Sequence, residues 1–180
     1  MKPYVSAIMA SPLGALTLVA SERGLAAILW ENDRPGRVPL GRCIEGVNYP
    51  VLRETRRQLC EYFAGERRVF SLPLHFSGTA FQRSVWQALL GIPYGETRSY
   101  GHIARQIGQP RAVRAVGAAN GRNPISIVAP CHRVIGTGGR LTGFAGGLAA
   151  KAQLLALEGV RIHERDSARL TVQGEERAGA

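Results

Sequence analysis

The sequence predicts a mixed α/β fold in two parts. An N-terminal sheet-and-helix unit covers residues 1–77, and a mainly helical unit covers residues 78–163. Three observations lead there. Short apolar runs separated by Gly-containing turns fill the N-terminus. Apolar residues then recur at helical spacing from residue 79 onward. The charge also changes at the same place: residues 1–77 carry 10 basic and 7 acidic side chains, residues 78–163 carry 10 and 2. The remainder, residues 164–180, with 3 basic and 4 acidic side chains, reads as a frayed polar tail.

Taken in order, Tyr4 to Ala10, Leu13 to Ala20 and Gly24 to Trp30 read as an antiparallel meander, with Ser11-Pro12-Leu13-Gly14 and Ser21-Glu22-Arg23-Gly24 as its turns. Asn32 to Gly46 reads as a loop. From Pro50 to Ala64, Val51, Leu52, Leu59, Tyr62 and Phe63 mark a helix that Gly65 closes. Val69 to Phe76 is expected to return as a strand. Thr79 is placed to cap a helix burying Phe81, Val85, Trp86, Leu89 and Leu90. Ser99 caps a short helix from Tyr100 to Ile107, Gly108-Gln109-Pro110 breaks it, and a second runs from about Arg111 to Asn120. Two short helices around such a break form a helix-turn-helix pattern. A buried strand is expected over Ile125 to Val128, a glycine-rich loop over Gly136 to Gly147, and a last amphipathic helix over Leu148 to Leu157, carrying Leu148, Leu154, Leu155 and Leu157.

Composition narrows the function. No apolar run is long enough for a membrane span, and Met1 to Ala10 lacks the pattern of a signal peptide. Three widely spaced cysteines, 43, 60 and 131, do not make a disulfide framework or a zinc site, so a reducing, cytoplasmic setting is expected. Between Glu96 and Glu158 there is no acid, while seven arginines and Lys151 lie between Arg98 and Lys151. That asymmetry is the footprint of a nucleic-acid face. The second helix of the pair is nearly all Ala, Val and Gly, with Arg111 and Arg114 its only charges. It can approach a backbone or a narrow groove closely without reading base edges.

The chemistry concentrates in Pro130-Cys131-His132-Arg133. A cysteine acts as a nucleophile through its thiolate, which a neighbouring base and positive charge favour. With Phe81-Gln82-Arg83-Ser84-Val85-Trp86, Ile92-Pro93-Tyr94-Gly95-Glu96-Thr97, Ser99-Tyr100, Arg114-Ala115-Val116-Gly117, Asn123-Pro124 and Leu157-Glu158-Gly159, the chain resembles the O6-alkylguanine-DNA alkyltransferases, the methylated-DNA–protein-cysteine methyltransferases. The likeness runs from about Gly78 to Gly159, with a looser match before it.

That resemblance implies a ribonuclease-H-like α/β domain followed by a winged-helix-like DNA-binding domain. It also implies one-shot transfer of an alkyl group from guanine O6 in DNA to Cys131, without cofactor or metal. His132 would take the thiol proton through a water, and Glu158 would orient that histidine. Asn123 would hold the segment before the cysteine, although it serves equally as a turn former before Pro124. Tyr100, by itself a plausible core aromatic, would protonate the departing guanine. Arg114, Tyr100, Ala115, Gly117, Ala118 and Arg133 would meet DNA through the minor groove, with Arg114 replacing the extruded nucleotide. Val134, Phe144, Ala145 and Gly146 would form the alkylguanine pocket. The implied partner is alkylated duplex DNA, bound by a monomer that needs no protein partner, with cooperativity along DNA and O4-alkylthymine activity left open. Phe144 replaces a tyrosine common in the family, Ser126 a pocket proline of some members, and the zinc ligands of some members are not evident. A lesion sensor and an unrelated Cys-His thiol hydrolase are the competing readings. The thiol argues against the first and the basic helix pair against the second.

Overall fold

Short apolar runs joined by tight turns at Pro12-Leu13 and Glu22-Arg23 make the first three strands one sheet. A computed structural model of the chain describes residues 3–164 and 170–172. In it β1 (Tyr4–Ser11), β2 (Gly14–Ser21) and β3 (Gly24–Trp30) form the expected antiparallel meander. The loop after β3 holds one strand the sequence hid, β4 (Cys43–Glu45). It pairs parallel to β1, giving the order β3-β2-β1-β4. Ala7, Met9, Leu16, Leu18, Leu25 and Ile28 face helix α1 (Pro50–Phe63), which starts with proline in its first turn and buries Leu52, Leu59 and Tyr62.

β3 ends the sheet, yet nearly every residue on it is buried, because two later segments cover its free edge. Leu25 exchanges backbone bonds with Pro73 and His75, and the Ile28 amide donates to the Pro124 carbonyl at 2.9 Å. Gly24 permits the first contact: at φ +137°, a Cβ there would lie 2.2 Å from the Pro73 carbonyl oxygen. The strand expected over Val69 to Phe76 is therefore reduced to a bridge at Leu74. Gln58 takes up both backbone groups of Ser71 instead, accepting from its amide at 2.8 Å and donating to its carbonyl at 2.9 Å.

Thr79 and Gln82 make a reciprocal capping box that starts α2 (Ala80–Leu89). Val85, Trp86 and Leu89 are buried as expected, but Leu90, at the helix end, is exposed. The Ser99 hydroxyl accepts from the His102 amide and caps α3 (Tyr100–Gln106), which follows the two-residue β5 (Arg98–Ser99). After the break comes α4 (Val113–Gly121). β6 (Val134–Ile135) pairs parallel to β5. α5 (Gly147–Leu157) departs from a simple amphipathic pattern: Leu148 is exposed, whereas Lys151 is wholly buried. The tail is not entirely free either, since β8 (Leu170–Val172) pairs antiparallel with β7 (Ile162–Glu164); residues 165–169 and 173–180 lie outside the described residues.

The largest core does not respect the division between the two parts. Ile125, Ile127, Val128, Ala150 and Leu154 pack into the same cluster as the N-terminal sheet and α1. A second cluster joins α2, α3 and α4 with Cys131 and Val134. Among the described residues no helix is long and apolar enough to cross a membrane.

Candidate active site

The segment Ile125 to Val128 is buried, but it is a string of tight turns rather than the expected strand. The Ala129 amide donates back to the Ile125 carbonyl, and Ile127 sits at φ +74°, in the left-handed region. A β-branched residue there costs on the order of 1–3 kcal/mol, which persists only where the surroundings enforce it. Asn123 does the enforcing. Its amide donates to the Ala129 carbonyl at 2.7 Å and its side-chain oxygen accepts from the Ile125 amide at 3.1 Å. From the first part of the chain, Arg37 is paired with Asp33 and donates to the Asn123 carbonyl at 2.6 Å. Through this frame the chain enters a single 3-10 turn, Cys131–Arg133, with Cys131 only 3% exposed.

Glu158 caps the C-terminal end of α5, where the helix dipole disfavours an acid, and its partners account for its presence there. One oxygen meets His132 Nε2 at 2.7 Å, the Tyr62 hydroxyl at 2.7 Å and Arg133 Nη2 at 2.9 Å. The other accepts from Arg133 Nε at 2.8 Å and the Gly95 amide at 3.3 Å. Burial alone would raise this carboxyl. The hydrogen bonds and charges of His132 and Arg133 outweigh it and hold the group at about 2. Burial pushes the His132 imidazole below its ordinary value, against the opposing pull of Glu158. A neutral imidazole beside a carboxylate must place its proton on Nε2. That leaves Nδ1, buried and without a partner among the described residues, as the free acceptor. Burial also raises the Cys131 thiol, partly offset by Asn123, Lys151 and Arg37. At rest the sulfur therefore holds its proton, and an adjacent acceptor is needed to remove it.

Arg133 departs from expectation. It was placed among the DNA contacts, but its guanidinium is spent inside the protein, on Glu158 and on the Ile92 carbonyl at 2.6 Å. With three of its N–H groups bound internally and its side chain only 7% exposed, it is not placed to meet a phosphate. α4 is arranged differently: Val116, Ala119 and Asn120 face inward, while Arg114, Ala115 and Ala118 are exposed and Gly117 is half-buried. Tyr100 lies beside this helix, where a Cβ on Gly117 would touch its ring at 3.8 Å. Its hydroxyl is 2.7 Å from that of Thr142, and burial raises the phenol above its usual range.

Val134 is buried next to Cys131 in the second core cluster, and Phe144, Ala145 and Gly146 line up half-buried beyond it. Phe144 stands edge-on to both Trp30, at 5.4 Å, and His132, at 6.5 Å between ring centroids. Gly146 admits no side chain, because a Cβ would come within 2.7 Å of the Trp30 ring. The Trp30 indole donates to Ser126 at 3.2 Å. Sequence reasoning missed Trp30, Arg37, Tyr62 and Lys151. Trp30 and Tyr62 read as ordinary strand and helix aromatics, and nothing local marks a partner nearly a hundred residues away. A cavity of about 330 Å³ lined by Arg68, Phe70, Leu90, Tyr94 and Arg133 does not include Cys131. Among the described residues no cluster of His, Cys, Asp or Glu could hold a metal ion.

Comparisons with known proteins show the family to which the fold belongs. Residues 4–76 match the 6-O-methylguanine DNA methyltransferase ribonuclease-like domain, and residues 80–160 match the DNA-binding domain of the same enzymes. The chain is 51% identical over 153 residues to a methylated-DNA–protein-cysteine methyltransferase of Methanosarcina acetivorans, covering 85% of this chain and 97% of that one. It is 48% identical over 157 residues to the constitutive enzyme of that name from Bacillus subtilis, covering 86% and 95%. A crystal structure of Mycobacterium tuberculosis OGT in complex with DNA superimposes with a TM-score of 0.79 at 46% identity, over 86% of this chain and 93% of that one. The chain belongs to the methylated-DNA–protein-cysteine methyltransferase family.

Proposed function

We propose that this protein repairs alkylated DNA by moving the alkyl group from guanine O6 to Cys131, once per molecule. The observation that carries the reading is the buried Glu158–His132 pair, which leaves Nδ1 as the one free acceptor on the residue next to the cysteine. The thiol proton passes to that nitrogen through a water. Sulfur attacks the alkyl carbon, the C–O6 bond breaks, and its electron pair stays on the guanine. Tyr100 supplies a proton to the guanine and is re-protonated from the imidazolium through solvent, so the balance closes on a thioether and an unmodified base. A thioether offers water no leaving group, so the acceptor is not regenerated.

Cys131 is too deeply buried to reach a base stacked in a duplex, which supports extrusion of the nucleotide into the site. In this reading α3 and α4 act as a helix-turn-helix in a winged-helix-like domain. Arg114 fills the vacated stack, and the small residues Ala115 and Ala118, exposed, and Gly117, half-buried, let α4 approach the minor groove without reading sequence. Val134, Phe144, Ala145 and Gly146 shape the pocket for the flipped base. No metal or cofactor takes part. We place the division between a ribonuclease-H-like part and the DNA-binding part near residues 77–78.

The test is intact mass after incubation with an O6-methylguanine duplex, followed by mapping of the modified residue. One added methyl on Cys131, with none on the exposed Cys43 and Cys60, is expected. Binding of the lesion without any mass change would favour a sensor, and repeated turnover a hydrolase.

A further inference from the structure

Lys151 is the one lysine besides Lys2, and its side chain is completely buried on α5. Its ammonium donates to the Val134 carbonyl at 2.5 Å and the Thr142 carbonyl at 3.2 Å. Among the described residues no carboxylate pairs with it; Glu158, one helical heptad further on, is fully engaged by His132, Arg133 and Tyr62. A buried ammonium satisfied only by carbonyls is costly, and such groups are retained where their charge is used. The groups within its field are those of the site. It favours the ionised form of Cys131 and disfavours the charged form of His132, while Arg37 adds a second, more modest positive influence on the cysteine.

Both carbonyls belong to segments that border the cysteine. Val134 directly follows the 3-10 turn that carries Cys131. Thr142 offers its hydroxyl to Tyr100 while its carbonyl is held by Lys151. One side chain thus ties the strand after the nucleophile to the loop that orients the phenol.

We propose that Lys151 is a positioning residue for the transfer, holding the Val134 and Thr142 carbonyls together and setting a fixed positive charge toward the Cys131 sulfur. The inference rests on Cys131 being the acceptor. Lys151 keeps its own proton throughout; the thiol proton still goes to His132. Burial lowers the ammonium to about 8, opposed by Cys131, so it is mostly charged at neutral pH.

The experiment uses a Cys43→Ser/Cys60→Ser background, because both of those thiols are exposed and would react first with any reagent. Lys151→Met, similar in length and uncharged, is compared with the background protein in two pH profiles: alkylation of Cys131 by iodoacetamide, and single-turnover transfer from methylated duplex. Below about 8, where Lys151 is charged, alkylation and transfer should both be slowed about tenfold by the substitution, the deficit closing at higher pH as the lysine of the background protein loses its own proton. The acid limb, governed by His132, should also move up, since a like charge has been removed. A profile that stays in place, or a uniform loss at every pH, would overturn the proposal, because a purely structural lysine gives that result. Should Lys151→Met fail to fold, the Lys151 ammonium is titrated by nitrogen-15 NMR in the background protein before and after iodoacetamide alkylation. The thiol form should keep the lysine proton to higher pH, and coincident titrations would overturn the proposal. Neither thiol measurement depends on DNA. If the background protein ionises as expected but never takes a methyl group, the repair reading fails instead.

Discussion

Glu158→Gln separates two roles that the structure loads onto one carboxylate. The amide keeps the volume but offers one acceptor oxygen where the carboxylate serves donors from His132, Arg133, Tyr62 and Gly95. Its NH₂ must then point at another donor, and the buried Arg133 guanidinium loses its counter-charge. Breaking such a pair from one side costs roughly 3–5 kcal/mol. Linkage gives a similar figure independently. A carboxyl held at about 2 rather than its usual 4.5 contributes about 3 kcal/mol near neutral pH. Because the folded value is depressed, this contribution is complete above about 4.5 and is lost as the pH falls toward about 2. Transfer should slow by about 10²–10⁴-fold, since the imidazolium formed on proton uptake has lost the group that stabilises it. The informative comparison adds Arg133→Met. Removing both charges of a buried pair is often near neutral, so the double variant should regain much of the stability seen in urea unfolding while its single-turnover rate stays low. A rate that recovers together with stability would show that Glu158 is only scaffolding. A single variant losing less than about 1 kcal/mol would refute the buried-pair argument itself.

Three further outcomes follow from the same geometry. Arg114→Ala should impair repair of duplex DNA far more than reaction with free O6-benzylguanine, which needs no extrusion; equal losses, measured as single-turnover rates, would assign Arg114 to the fold or pocket. Gly146→Ala places a methyl within 2.7 Å of the Trp30 ring and should cost about 1–3 kcal/mol in thermal unfolding, with slower transfer as Phe144 is displaced. Acid should act through His132 before it acts through Glu158. The imidazole is depressed by burial, so stability and transfer should both be intact above its usual 6.5 and decline as the pH falls through its lower folded value. A His132→Gln variant should lose that dependence of unfolding midpoint on pH below 6.5.

The meander and the capped helices were readable because each is encoded locally. Thr79 with Gln82, and Ser99 with His102, act within three residues of themselves. The errors fall where distant chain segments compete for the same backbone. Val69 to Phe76 and Ile125 to Val128 are both apolar enough for strands. Both are recruited instead to cover the β3 edge, the first held by Gln58 from α1, the second by the nearby Asn123, whose own carbonyl is fixed by the distant Arg37. Arg133 misled for a related reason. An arginine in a basic stretch reads as a phosphate ligand until the fold brings Glu158, Ile92 and Tyr94 around it. Lys151 on a leucine-rich helix carried no such signal, because its partners are carbonyl groups.

The core shared between the sheet and the residues just before Cys131 bears on how the chain comes apart. Ile125, Ile127 and Val128 are anchored among strand and α1 side chains, and Arg37 and Trp30 reach across to Asn123 and Ser126. A protease cut at the exposed junction around Gly78 should therefore leave a nicked protein whose two pieces stay associated and melt together. The second piece alone would keep Asn123 but lose the Arg37 and Trp30 contacts and the sheet and α1 side chains that back the Ile127 turn, so its cysteine would sit on a looser loop. The setting of the Cys131 thiol thus belongs to the whole chain, and a fragment beginning near Gly78 would keep the basic surface while losing that setting.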